Sequence, residues 1–212
     1  MRHPLNPLDP APHPWRALDA ARLAEAVPAH VRPWLDLSTS MTRRLEDSLG
    51  SGIRVEVLRS GPGRLNPDEA GFFGAEDGGA PGGPADGSIH VREVCLHGAG
   101  RPVLAARTVY PASRPALTRN LASLGDRPLG ELLFSADRPA TWTRREIARL
   151  DGAGDLRDLV ACQASRPALP CWARRTLFEL AAEPLLVTEI FLPPVPAFAP
   201  AGAQAGRAVA TR

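Results

Sequence analysis

The chain has 212 residues, 44% of them hydrophobic, with 25 basic against 23 acidic side chains and a formal net charge of +2, enough apolar material for one ordinary domain with tails and no basic footprint for nucleic acid. Every basic residue is arginine, which excludes a Schiff-base lysine and a phosphate-loop lysine. Cys95, Cys162 and Cys171 are scattered and only His90 and His97 lie close among the histidines, so neither a disulfide framework nor a metal site is expected, and without an apolar N-terminal core or a run of about 18 apolar residues the expectation is a cytoplasmic protein with no membrane partner.

Residues 1–16 are proline-rich and are expected to be flexible, ahead of a domain over 17–196. Residues 17–26 (ALDAARLAEA) carry an apolar stripe through Leu18, Ala21 and Leu23 and predict a short helix that Pro28 ends. Residues 39–49 predict a second helix, capped by a serine or threonine within Ser38–Ser40 and stopped by Gly50. Ile53, Val55 and Val57 alternate with Arg54 and Glu56, the pattern of a strand with one solvated face. Residues 71–87 are glycine-rich and predict an exposed loop.

The segments 88–97 and 102–110 predict a hairpin, joined by a longer glycine-containing loop through Gly98–Arg101. Residues 114–125 and 128–134 read as helical or turn-like, 141–150 as a strand, and 154–170 as a helix followed by a proline-broken loop. Two last strands, 172–180 and 185–192, flank a short AAEP turn and stop at Pro193 and Pro194. The Ala/Gly-rich tail 197–212 has no helical face and is expected to be disordered. Strands joined by short turns, with helices between them, predict an α+β domain: an antiparallel β-sheet with helices packed on one side.

Three charges fall on apolar strand faces. Arg92 alternates with His90, Val94 and Leu96; Arg107 with Val103, Ala105 and Val109; Glu189 with Leu185, Val187 and Phe191. An isolated buried charge costs several kcal/mol, so these side chains face solvent, pair with one another, or meet a ligand. Two arginines near one glutamate suit a small anion, since a guanidinium grips a carboxylate bidentately. Arg43 with Arg44, and Arg174 with Arg175, read as solvated charge pairs, one of which could guide an anionic substrate. Cys95 lies on the strand face opposite Arg92 and reads as a small buried hydrophobe.

Four blocks resemble the chorismate pyruvate-lyase family, in the family's order and spanning about 33–196. They are WLDLSTSMTRRLE (34–46), VREVCLHGAGRPVLAARTVYP (91–111), LGDRPLGELLF (124–134) and CWARRTLFELAAEPLLVTEIFLPPVP (171–196). The resemblance implies an α+β domain that buries its ligand beneath helical flaps, acts without cofactor or metal, and converts chorismate to 4-hydroxybenzoate and pyruvate for ubiquinone biosynthesis. It carries substrate and product contacts onto Met41, Arg92, Leu129 and Glu189, and catalytic roles onto Arg92, Glu189 and Arg107. Arg92 is expected on the ring carboxylate, Arg107 on the enolpyruvyl carboxylate, and Glu189 at the ring hydroxyl.

Met41 and Leu129, apolar side chains more often found in a core, are expected to act through backbone and shape. Residues 71–87, about 152–170 and the tail after Pro196 depart from the family's pattern. The competing reading is a non-catalytic binding or sensor domain for aromatic acids. Fewer than 40 residues precede the first matching block, too few for a winged-helix domain ahead of a sensor. A monomer is expected.

Overall fold

The chain folds into seven strands: β1 (Arg16–Ala17), β2 (Arg54–Gly63), β3 (Ile89–Gly98), β4 (Arg101–Pro111), β5 (Thr141–Leu150), β6 (Cys171–Leu180) and β7 (Glu183–Phe191). In this computed structural model, which describes residues 14–18, 27–73, 89–136, 139–151 and 170–199, they form one sheet in the order β1-β5-β6-β7-β4-β3-β2. Every neighbouring pair is antiparallel. The helices are α1 (Arg32–Asp36), α2 (Met41–Leu49), α3 (Pro115–Ala122) and α4 (Gly130–Leu133). The architecture is the expected α+β class.

All four helices cover one face of the sheet. Trp34, Leu35, Met41 and Leu45 of α1 and α2 pack with Val94, Leu104 and Phe191. Leu117, Leu121 and Leu133 of α3 and α4 pack with Tyr110, Phe178 and Val187. The reverse face is also buried, beneath Trp15 over Cys95, Cys171 and Ile190 and beneath Leu65 and Phe73 over Val91 and Val109.

Helix α2 starts and stops on the residues its sequence offers. Ser40 Oγ accepts from the Arg43 N–H at 3.4 Å, and Gly50, at φ 62°, donates its N–H to Glu46 O. Helix α1 was not foreseen: Pro33 sits in its first turn, where proline lacks no needed donor.

Packing contacts extend before residue 17 and past residue 196. Trp15 is buried and Leu18 donates its N–H to Arg145 O at 3.1 Å. Past Pro196, Phe198 lies edge-on to Trp34 at 5.0 Å, and the Ala199 N–H donates to Ser48 Oγ at 3.0 Å. The predicted helix at 17–26 begins in strand β1, and its remainder, 19–26, lies outside the described residues. So do residues 1–13, most of the predicted loop 71–87, nearly all of 154–170, and 200–212. Among the described residues no helix is long and apolar enough to cross a membrane.

Both main hairpins turn on two residues. Gly98 pairs with Arg101 across Ala99 (φ 50°) and Gly100 (φ 77°), a tighter turn than the expected longer loop. The next pairs break step: His97 faces Pro102, but Leu96 faces Leu104. Val103 is therefore an extra residue on β4, a bulge.

The β6–β7 turn places Ala181 at φ 55° and Ala182 at φ 63°, between the paired residues Leu180 and Glu183. Two positive-φ residues in a two-residue hairpin favour Asn-Gly, because the left-handed region costs a Cβ-bearing residue about 1–2 kcal/mol. The double variant Ala181→Asn, Ala182→Gly is expected to raise the melting temperature by several degrees, measured by circular dichroism. An unchanged or lower value would mean that the alanines are unstrained there.

Candidate functional site

The helix-covered face carries one row of residues per rung. Arg92 faces Thr108, which faces Val187, and one rung along Val94 faces Ala106, then Glu189, then Arg174. Arg92 and Glu189 thus share a face, two strands and one rung apart. Strand spacing and rise put their Cα atoms roughly 12 Å apart. Both line a cavity between the sheet and the helices, together with Met41 and Thr42 of α2, and Leu129 and Gly130 at the start of α4. Four of the five site residues read from sequence, Met41, Arg92, Leu129 and Glu189, therefore meet at one cavity.

Arg92 is nearly all enclosed, at 4% exposure. Among the described residues its guanidinium makes one hydrogen bond, from Nη2 to Arg127 O at 3.3 Å. Burial lowers its pKa, against the opposing pull of Tyr110 and Asp126. A desolvated cation with donors to spare at a cavity wall is built to receive an anion.

Glu189, also buried, is held by Arg174, whose Nε donates to Glu189 Oε2. Arg174 Nη1 donates to the carbonyls of Trp34 (3.1 Å), Leu35 (3.5 Å) and Leu37 (2.6 Å). These are carbonyls at the end of α1, which lack intrahelical partners. Arg145 joins them: its Nη1 donates to Leu37 O at 3.1 Å and its Nε to Thr176 Oγ1 at 3.1 Å. Burial, with the adjacent Arg174 charge, pulls the Arg145 pKa down to about 10.

Arg107 does not join the cavity. Were the β3–β4 ladder regular from its Gly98–Arg101 turn, Arg92 would face Arg107. The Val103 bulge shifts the register by one, so Arg107 faces Glu93 instead. A one-residue shift sends a side chain through the sheet. On the reverse face its Nε and Nη2 donate to Glu69 Oε1 and Oε2 at 2.8 and 3.0 Å, Nη2 reaches Arg64 O at 2.7 Å, and Nη1 binds Glu93. Burial opposes its charge, but Glu69 and Glu93 outweigh burial and raise its pKa.

The reading of Arg174 and Arg175 as solvated is also corrected: both are buried, on opposite faces. Arg175 binds Glu146 Oε2 (2.8 Å from Nε) and Asp68 Oδ2 (2.7 Å from Nη1), and stacks between Trp15 and Phe72. Arg174 carries the same signal as Arg92, alternation with Trp172 and Phe178, but the adjacent Arg175 gives the two the look of an exposed pair. Cys95 is buried opposite Arg92, as expected.

Arg107→Ala would leave Glu69, 2% exposed, without its counter-charge, a loss of about 3–5 kcal/mol. A fall in melting temperature on the order of 10 °C is expected, with ligand affinity of the folded fraction retained. Lost affinity at unchanged stability would return Arg107 to the site. On the same face Glu146 has a lowered pKa: burial raises it, but Arg175 and Arg144 outweigh burial. Its stabilisation is complete above the unfolded-state value and is lost as pH falls through the lower folded value. Thermal melts taken from neutral pH into the carboxylate range should show a shallower acid loss for Glu146→Gln than for the parent protein. Equal slopes would remove Glu146 as a source of acid sensitivity.

Residues 15–199 match the family model described as chorismate lyase. A protein of Methylococcus capsulatus named probable chorismate pyruvate-lyase is 39% identical over 164 residues, covering 76% of this chain and 94% of that protein. One of the same name from Azoarcus is 38% identical over 184 residues, covering 82% and 90%. The solved structure of PhnF from Mycobacterium smegmatis, at 14% identity, superposes with a TM-score of 0.50 over 77% of this chain and 68% of that one, a likeness of fold alone. The family model spans the ordered sheet and both helical covers of the cavity, and with it the chain belongs to the chorismate lyase family.

Proposed function

We propose that the chain is a chorismate pyruvate-lyase, converting chorismate to 4-hydroxybenzoate and pyruvate at the Arg92–Glu189 cavity and so feeding ubiquinone biosynthesis. The observation that carries this reading is a buried cation and a buried carboxylate lining one cavity beneath Met41 and Leu129. Arg92 binds the ring carboxylate. Glu189, across the cavity, meets the ring hydroxyl, which becomes the phenol. Met41 and Leu129 shape the cover above the ring.

The chemistry asks little covalent work of the protein. The ring carbon bearing the hydroxyl loses its hydrogen, and its neighbour loses the ether oxygen. The enolpyruvyl fragment gains that hydrogen at its methylene carbon and leaves as pyruvate. Atoms balance without a further reactant, and aromatisation drives the step. The protein's part is to hold the ether and the migrating hydrogen in register in a site poor in water, where charges act strongly. The product keeps both the carboxylate and the hydroxyl, so it keeps Arg92 and Glu189 as partners and is expected to leave slowly.

Purified protein given chorismate should release pyruvate and 4-hydroxybenzoate in equal amounts. Binding without products would favour the alternative, a non-catalytic aromatic-acid binding domain of the same fold. Arg92→Ala should reduce kcat/KM by at least about a hundredfold with the fold intact. Glu189→Ala should reduce turnover far more than Glu179→Ala, a change at an exposed site on β6. Near-parental kinetics in Arg92→Ala would take that residue out of the site.

A further inference from the structure

Chorismate carries two carboxylates, and Arg92 accounts for one. Removing Arg107 to the reverse face leaves the second without its expected partner. Among the residues lining the cavity, the cations are Arg92 and Arg174 and the anion is Glu189. The geometry points to Arg174 as the residue that binds the enolpyruvyl carboxylate, an inference that rests on the lyase reading above.

Covalent connectivity fixes the location. In chorismate the hydroxyl and the enolpyruvyl ether stand on adjacent ring carbons. A hydroxyl placed at Glu189 therefore brings the ether, and the short acid it carries, beside whatever holds Glu189. That neighbour is Arg174, directly opposite Glu189 in the β6–β7 ladder and bonded to it through Nε. Its Nη1 is occupied by the α1 carbonyls. Nη2 takes part in none of these bonds and is the donor left for a ligand. The guanidinium is locked by four bonds before substrate arrives, so little side-chain entropy is lost on binding.

Charge agrees with this placement. Arg92, Arg174 and, one strand behind, Arg145 outnumber Glu189 by two, and Asp36 and Asp126, which act on Arg145 and Arg92, are exposed. A dianion balances that excess, whereas the monoanionic product does not. Arg174 would thus distinguish substrate from product: only the substrate, and the pyruvate as it departs, has a group for it.

The test uses that distinction. Arg174→Gln should lower kcat/KM for chorismate by roughly 10- to 100-fold, about tenfold more than it raises the calorimetric Kd for 4-hydroxybenzoate, which registers only the loosened Glu189. Arg174→Lys should recover part of the loss. If Arg174 only positioned Glu189, the product, whose hydroxyl also meets Glu189, would weaken in parallel, and the inference would fail.

Should Arg174→Gln not fold, the substrate can be changed instead. Chorismate methylated on the enolpyruvyl carboxylate should lose kcat/KM with the parent protein and lose less with Arg174→Lys, whose single ammonium makes the weaker contact. Equal losses, or no loss with either, would overturn the assignment. Absence of turnover by the parent protein would instead sink the lyase reading itself.

Discussion

The Val103 bulge is the constraint on which the rest of the site depends. The β3–β4 hairpin leaves its turn in a register that would set Arg92 against Arg107 on one face. Two guanidiniums facing each other beneath the helices would repel in a desolvated space. One extra residue on β4 converts that pairing into Arg92 opposite Thr108 and Arg107 opposite Glu93. Each face then receives one arginine, with the Glu69 and Glu93 carboxylates waiting behind and a ligand cavity in front. Val103 is held in place as well: it is fully buried, and its carbonyl accepts the Leu192 N–H at 3.0 Å.

The same division recurs on β6. Arg174 and Arg175 are adjacent in sequence and point through opposite faces, the first to Glu189 and α1, the second to Glu146 and Asp68. An antiparallel sheet usually shows one face to water. Here both are covered, so charges on either face must be matched inside the protein. The reverse face does this with ion pairs closed under residues 64–73 and Trp15. The front face leaves an excess of positive charge near Glu189. The difference separates a structural network, complete in itself, from a candidate site whose charge an anionic ligand would balance.

Most of this fold and part of the candidate site were legible in the sequence, for reasons that particular residues make plain. Turn residues at 98–101 and 181–184 and the stop at Pro193 and Pro194 marked the central strands, because tight turns and prolines end a ladder. Ser40 and Gly50 marked α2, because a helix end needs a side-chain acceptor and a left-handed stop. Alternation also flagged Arg92, Arg107 and Glu189 as misplaced, but it reports a face only relative to neighbours on the same strand. Which face of the sheet that is depends on register, and register turned on a single bulge that no residue type announces: Val103 is a valine in a run of apolar residues. Arg174 was missed for the converse reason. Two adjacent arginines suggest solvent unless both faces of the strand are known to be covered, and that covering comes from 64–73 and Trp15, far away in sequence.

The cover of the cavity is built from two pieces that the chain supplies separately, and their contact bears on how a ligand gets in and out. Helix α2 brings Met41 and Thr42, and the start of α4 brings Leu129 and Gly130. At Gly130 a Cβ would lie 2.7 Å from Ser40 Oγ, so the two pieces meet with no room for a side chain. Ser40 also caps α2, and that helix is tied from outside by the segment beyond Pro196 through the Arg44 Nη1–Ala199 O bond of 2.9 Å and the Ala199–Ser48 bond. At that point of contact nothing as large as chorismate could pass between the two pieces. Helix α4 is a single turn of four residues, whereas α2 has nine residues with a cap at each end and an external tie. The less firmly held piece is α4, whose N-terminal flank carries Leu129.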